Sequence, residues 1–177
     1  MRASLCLAAG FAIACATPAC VTPAAADPAY TAAKVVDFFA QAKAAKLGAT
    51  RKICFEGDPD CAPKAAPKPF DLMVNFEFDS DRLTPAAQEN LGQFAQALHD
   101  PRLRGQKFAI DGFTDATGTE VYNKTLSERR AEAVARFLGS KGVERNSLVA
   151  KGYGPSKPRA PDPFDPVNRR VETHLEE

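Results

Sequence analysis

Tryptophan is missing from this 177-residue chain, and histidine occurs only twice. No His-x-x-x-His, Cys-x-x-Cys, Gly-x-Ser-x-Gly or phosphate-loop spacing is present, so zinc sites, redox dithiols, hydrolase elbows and nucleotide loops have no support. His99 falls at a predicted helix end and His174 among the last residues, places that suit a cap or a surface side chain better than a ligand. The acids Asp79 and Asp81 sit in "DSD", a polar turn, where turn formation accounts for them better than metal binding or acid–base work. Nothing assembles an activated nucleophile. An enzyme is not expected, and no cofactor or metal is implied.

An apolar run long enough to span a bilayer is also lacking. The first 26 residues, "MRASLCLAAGFAIACATPACVTPAAA", hold one positive charge, Arg2, and no acid, and end in Ala24-Ala25-Ala26. That is the layout of a secretory signal with an A-x-A cleavage site. The expectation is a mature chain over 27–177, exported to the periplasm. Of five cysteines, Cys6, Cys15 and Cys20 fall in the signal, leaving Cys54 and Cys61. An oxidising compartment would join these two across "CFEGDPDC". A bridge over so short a loop stabilises by at most about 3 kcal/mol. The alternative is a lipoprotein signal with "AIAC" as lipobox and Cys15 acylated. It would leave Cys20 unpaired, and it lacks the usual leucine three residues ahead of the cysteine.

Excess charge of either sign is absent too. Removing the signal takes Arg2 from 23 basic residues and leaves all 22 acidic ones, so the remainder is balanced. Neutrality argues against a nucleic-acid partner or a membrane surface held by charge.

What is present falls into four stretches. Residues 29–47, "AYTAAKVVDFFAQAKAAKL", are Ala-rich, with Val35, Val36, Phe38 and Phe39 as apolar contacts, and predict a helix stopped by Gly48. With the cystine loop they form an N-terminal segment over 27–61. "APKAAPKP" (62–69) reads as a semi-extended linker. From 70 to 177 the pattern is that of a folded domain. "FDLMVNFEF" alternates, with Phe70, Leu72, Val74, Phe76 and Phe78 on one face, and predicts a half-buried strand. Thr84-Pro85 starts a helix with an apolar stripe of Ala87, Leu91, Phe94 and Leu98. "QKFAIDGF" predicts a second strand with Phe108 and Ile110 inward. A helix follows over 120–139, closed by Gly139 or Gly142. "NSLVAKGYG", a Pro-rich loop and "NRRVETHLE" complete the order β-α-β-α-β-β, a two-layer α+β architecture with a short helical N-terminal extension.

One residue breaks the pattern. At about 100° per residue, with Leu126 at zero, Ala133, Phe137 and Val134 fall near −20°, 20° and 80°. Arg130 falls near 40°, in the middle of that apolar stripe, whereas Arg129 and Arg136 point roughly 100° away. Asn123 is a second polar intruder. An inward guanidinium without a partner costs about 3–5 kcal/mol, so Arg130 needs an acceptor. Asp115, in the Gly-flanked loop "GFTDATG" before this helix, is the natural candidate. Either the two form a structural clasp, or together they hold something carrying both signs of charge.

The stretches "VNFEFDSDRLTPAAQENL", "IDGFTDATGTEVYNKTLSERRAEAV", "VAKGYG" and "NRRVE" resemble the OmpA-like C-terminal domain family over about residues 70–175. Those domains occur in outer-membrane proteins, peptidoglycan-associated lipoproteins and flagellar stator proteins. The resemblance implies peptidoglycan as partner, bound non-covalently through the diaminopimelate side chain of the stem peptide, which links the wall to the envelope. It places the gripping pair at Asp115 and Arg130, with the acid taking the ligand's ammonium and the arginine its carboxylate. Asp81 occupies a loop position near the ligand, Thr114 and Asn123 shape the pocket, and Arg169 touches the ligand or braces the last strand. Phe113 stands where the family commonly has histidine. The rival is a structural or partner-binding protein, tied to other envelope proteins, that kept this fold without the wall ligand. A wall hydrolase finds no catalytic constellation.

Overall fold

The computed structural model describes residues 29–49, 68–77 and 79–176. The export signal, the Cys54–Cys61 pair and most of the linker lie outside them. Among the described residues seven α-helices and β-strands follow in order: α1 (Ala32–Ala49), β1 (Phe70–Asp71), α2 (Pro85–Leu98), β2 (Phe108–Phe113), α3 (Glu120–Ser140), β3 (Leu148–Gly154) and β4 (Arg170–Leu175). From β1 onward this is the β-α-β-α-β-β order expected of the sequence. No described helix is long and apolar enough to cross a membrane.

The strands form one sheet in the order β1-β4-β2-β3. The central strand β2 runs parallel to β3 and antiparallel to β4. Phe108 and Ile110 face the helices, as their spacing predicts, and join Leu91 and Phe94 of α2 and Val134 and Leu138 of α3 in the core. Thr84 caps α2 by accepting from the Ala87 N–H at 3.3 Å, with Pro85 in the first turn. Thr119 caps α3 in the same way, through Tyr122. Gly142, at φ +88°, turns the chain after α3.

Two expectations need correction. The alternation from Phe70 to Phe76 survives in burial, since Leu72 and Val74 are buried while Met73 and Asn75 are exposed. Ladder pairing, however, is confined to Phe70–Asp71. Met73 adopts φ +49°, its N–H capped by the Asp71 carboxylate at 2.9 Å, and that left-handed residue turns the chain off the β4 edge. An isolated bridge from Phe76 to Leu83 is what remains of the strand further on. Helix α1 also runs through Gly48 to Ala49 rather than stopping before it; near a helix end glycine costs only about 1 kcal/mol.

Helix α1 shares the same core. Val35, Val36 and Phe39 are almost fully buried, and the Phe39 ring meets Phe108 edge-on at 5.2 Å and Phe94 at 6.1 Å. Two polar residues of α2 fix its entry. The Asn90 side chain accepts from the Ala29 N–H at 2.7 Å, and Gln93 accepts from Ala32.

Candidate ligand-binding site

The site depends on how closely α3 approaches the sheet. Gly112 of β2 and Gly152 of β3 lie directly beneath it, and a methyl group on either would collide with the backbone of Ser127 or Glu128. The Ser127 hydroxyl donates to the Lys124 carbonyl and accepts from the Gly154 N–H, each at 2.8 Å, which stitches helix to strand. This contact sets the height and rotation of α3, and so where Arg130 points.

Arg130 is 8% exposed, in keeping with its place on the apolar stripe. Its acceptor is not Asp115. The Arg130 Nε donates to the Ser80 carbonyl at 3.0 Å, and the guanidinium lies over the Phe76 ring, 5.0 Å from its centroid. Among the described residues Arg130 makes no ion pair. Burial, followed by repulsion from Arg169, makes its proton easier to lose than usual; a guanidinium nonetheless stays charged.

Asp115, 6% exposed, is held by other groups. Its Oδ2 accepts from Arg169 at 2.6 Å and its Oδ1 from the Thr117 N–H at 3.0 Å. Burial alone would raise this carboxyl, but the bonds from Arg169 and Thr117 prevail and hold it below the usual range. The Asp115–Arg130 clasp, one of the two arrangements the sequence left open, is therefore replaced by an Asp115–Arg169 pair. The reason is reach: the loop before β4 passes close to the 114–119 loop, where the Ala116 N–H donates to the Pro163 carbonyl at 2.9 Å.

Arg130, Arg169 and Arg170 line an open cavity of about 400 Å³ with Asn75, Phe76, Phe113 and Pro166. None of its lining residues is acidic, so it suits an anion. Two buried acids are bonded to its arginines from outside the lining, Asp115 to Arg169 at 2.6 Å and Glu172 to Arg170 at 2.8 Å.

The remaining predicted residues have distinct places. Asn123 donates to the Thr117 carbonyl at 2.9 Å and braces the loop that carries Asp115. The Thr114 backbone N–H bonds the Gly154 carbonyl, while its buried hydroxyl has no partner among the described residues. Asp81 is not brought to the cavity; it faces the exposed Arg136 at 3.5 Å, because the turn presents the Ser80 carbonyl inward instead. Phe113, the departure from the usual histidine, stacks on Tyr153 with centroids 5.3 Å apart and carries the Arg170 guanidinium on its face at 4.0 Å. Arg170, Asn75 and the Ser80 carbonyl were not singled out by sequence reasoning. "NRR" held a signal for Arg170, whereas a backbone carbonyl leaves none.

The model of the OmpA family matches residues 75–172, which include all of the cavity's lining except Val74. The chain belongs to the OmpA family. Outer membrane protein A of Bordetella avium is 38% identical over 117 residues, 64% of this chain and 59% of that protein. Its counterpart in Citrobacter freundii is 35% identical over 115 residues, 64% of this chain and 48% of that protein. This OmpA-family chain thus spans about half the length of the curated relatives it matches. Among solved structures, the peptidoglycan-associated lipoprotein of Burkholderia pseudomallei is 35% identical with a TM-score of 0.52, covering 58% of this chain and 88% of that one. The C-terminal domain of Helicobacter pylori MotB also aligns with a TM-score of 0.52, at 25% identity over 62% of this chain and 84% of that one.

Proposed function

We propose that this protein is a non-catalytic component of the cell envelope that binds peptidoglycan non-covalently, gripping the diaminopimelate side chain of the stem peptide. The observation that carries this reading is Arg130, a buried guanidinium in an open cavity with no ion-pair partner among the described residues. Diaminopimelate ends in an ammonium and a carboxylate on one carbon. Its carboxylate would take a two-pronged bond from Arg130, beside the ion-paired Arg169 and Arg170. Its ammonium would reach Asp115, taking over the acceptor that Arg169 now occupies. The relative from Burkholderia pseudomallei, named as peptidoglycan-associated, supports the peptidoglycan part of this reading. In this reading 70–177 is the wall-binding domain, 1–26 the export signal that delivers it to the periplasm, and Cys54–Cys61 a disulfide formed there. Residues 27–61 and the 62–69 linker precede the domain, and association with the outer membrane follows the naming of the relatives.

One observation favours a second reading. Asp115 is already satisfied by Arg169, as a purely structural or partner-binding version of the fold would have it. Co-sedimentation with purified peptidoglycan separates the two. Each charge-assisted bond contributes about 1.5–3 kcal/mol, so Arg130→Ala and Asp115→Ala should each lower the bound fraction by at least about tenfold in affinity. Wild-type protein that stays in the supernatant would hand the case to the second reading, and variants that pellet like wild type would show the site to be misplaced.

A further inference from the structure

Of the three arginines that line the cavity, two are held fast. Arg130 is fixed by the Ser80 carbonyl and the Phe76 ring. Arg170, its side chain 9% exposed, lies on the Phe113 ring, bonds Glu172, and donates to the Asn168 and Lys157 carbonyls at 3.3 and 3.2 Å. Arg169 differs. Its side chain is 48% exposed, and among the described residues its only side-chain hydrogen bond goes to Asp115. Its root is nevertheless firm. The Arg169 N–H donates to the Pro166 carbonyl at 3.0 Å, and the preceding Asn168 is fully buried, accepting from the Arg159 and Ala160 N–H groups. A long side chain on such a root can leave Asp115 by a rotamer change alone, and a half-exposed ion pair restrains it only weakly. Asp115 stays in place meanwhile, since its other oxygen accepts from the Thr117 N–H at 3.0 Å. Asp115 is 6% exposed and outside the cavity's lining, whereas Arg169 lines it. A cation in the cavity therefore reaches that acid only by taking the guanidinium's place.

We propose that Arg169 is an internal stand-in for the ligand's ammonium, holding Asp115 until a ligand brings its own cation, and so sets which ligands the cavity accepts. This rests on the peptidoglycan reading above, and it accounts for the ion pair that otherwise favours the rival. Only the fraction of molecules with Asp115 released can take the ammonium, so the apparent affinity for a zwitterion is lowered by that fraction. A ligand that bears carboxylates alone leaves the pair closed. It meets no such penalty and gains nothing from Asp115. The exchange suits an ammonium, which forms the same kind of charge-assisted bond to a carboxylate as the guanidinium it displaces.

NMR titration of the full chain with two small probes tests this. meso-Diaminopimelate carries ammonium and carboxylate together, whereas pimelate keeps the carbon chain and both carboxylates without an ammonium. Arg169→Gln removes the stand-in's charge, and its diaminopimelate affinity should rise about fivefold, equivalent to about 1 kcal/mol, while pimelate gains nothing. Arg169→Lys keeps the charge and should return diaminopimelate affinity to the wild-type level. In wild type, the Arg169 side-chain N–H signals should lose their protection from exchange at saturating diaminopimelate and keep it with pimelate, a readout that needs no variant. Unchanged or lower diaminopimelate affinity in Arg169→Gln overturns the proposal. So does an equal gain for pimelate, which would mean only that the cavity had widened, and so do equal gains in the two variants. Arg169 signals still protected at saturating diaminopimelate overturn it as well. The cavity reading survives any of these failures if Arg130→Ala abolishes binding in the same titrations. An Arg130→Ala protein that binds diaminopimelate like wild type brings down both.

Discussion

Arg130 and Asp115 are both buried, yet each is satisfied by a group the other does not touch. The inward aim of Arg130 was legible because helical phase is local: the residues from Leu126 to Phe137 establish the stripe. The partner of Asp115 was not, since Arg169 lies 54 residues along the chain on a Pro-rich loop whose path no periodicity describes. The pairing has a pH signature. With its folded pKa held below the ordinary carboxylate value of about 3.9, Asp115 contributes stability that is complete above that value and is lost as pH falls through the lower folded one. Melting curves of wild type and Asp115→Asn should therefore differ by a constant amount down to about pH 4 and converge below it. The gap itself should be modest, about 1 kcal/mol or less, because the Arg169 side chain is 48% exposed and its charge is screened.

At the level of elements, the paired glycines under α3 matter more than any single bond. Both were plain in the sequence as "DGF" and "KGYG", but their role was not, because it depends on what packs above them. Gly152→Ala should push the Ser127–Glu128 stretch away from β3 and cost about 1–3 kcal/mol in urea unfolding. It should also weaken peptidoglycan binding more than its loss of stability explains, since Arg130 rides one turn further along the same helix. A glycine that merely fills a strand would show no such effect. The first strand teaches the complementary lesson. Alternation announced which residues face the core, and Leu72 and Val74 obey it. Hydrogen-bond pairing depends on backbone dihedrals, and one left-handed residue, Met73, ended it where side-chain pattern carried no warning.

For the molecule as a whole, the N-terminal helix belongs to the domain's core rather than standing apart from it. Its apolar residues could be read from the sequence, but the surface they cover could not, because the partner rings of Phe39 lie on β1, α2 and β2. Phe39→Ala should cost about 3–5 kcal/mol, comparable to an interior position of the OmpA-family region itself. Chemical denaturation should show one transition shifted to lower denaturant. Two separate transitions would mean that α1 folds independently.

The cavity draws on residues numbered from 74 to 170, most of them contributed by the end of the first strand region, α3 and the segment leading into β4. An occupant would act as a rivet through all three, so local opening of any one of them would require its departure. A chain seated on a polymer that offers the same tip again and again would be held folded by mass action as well as held in place. Anchorage and durability would then come from a single contact.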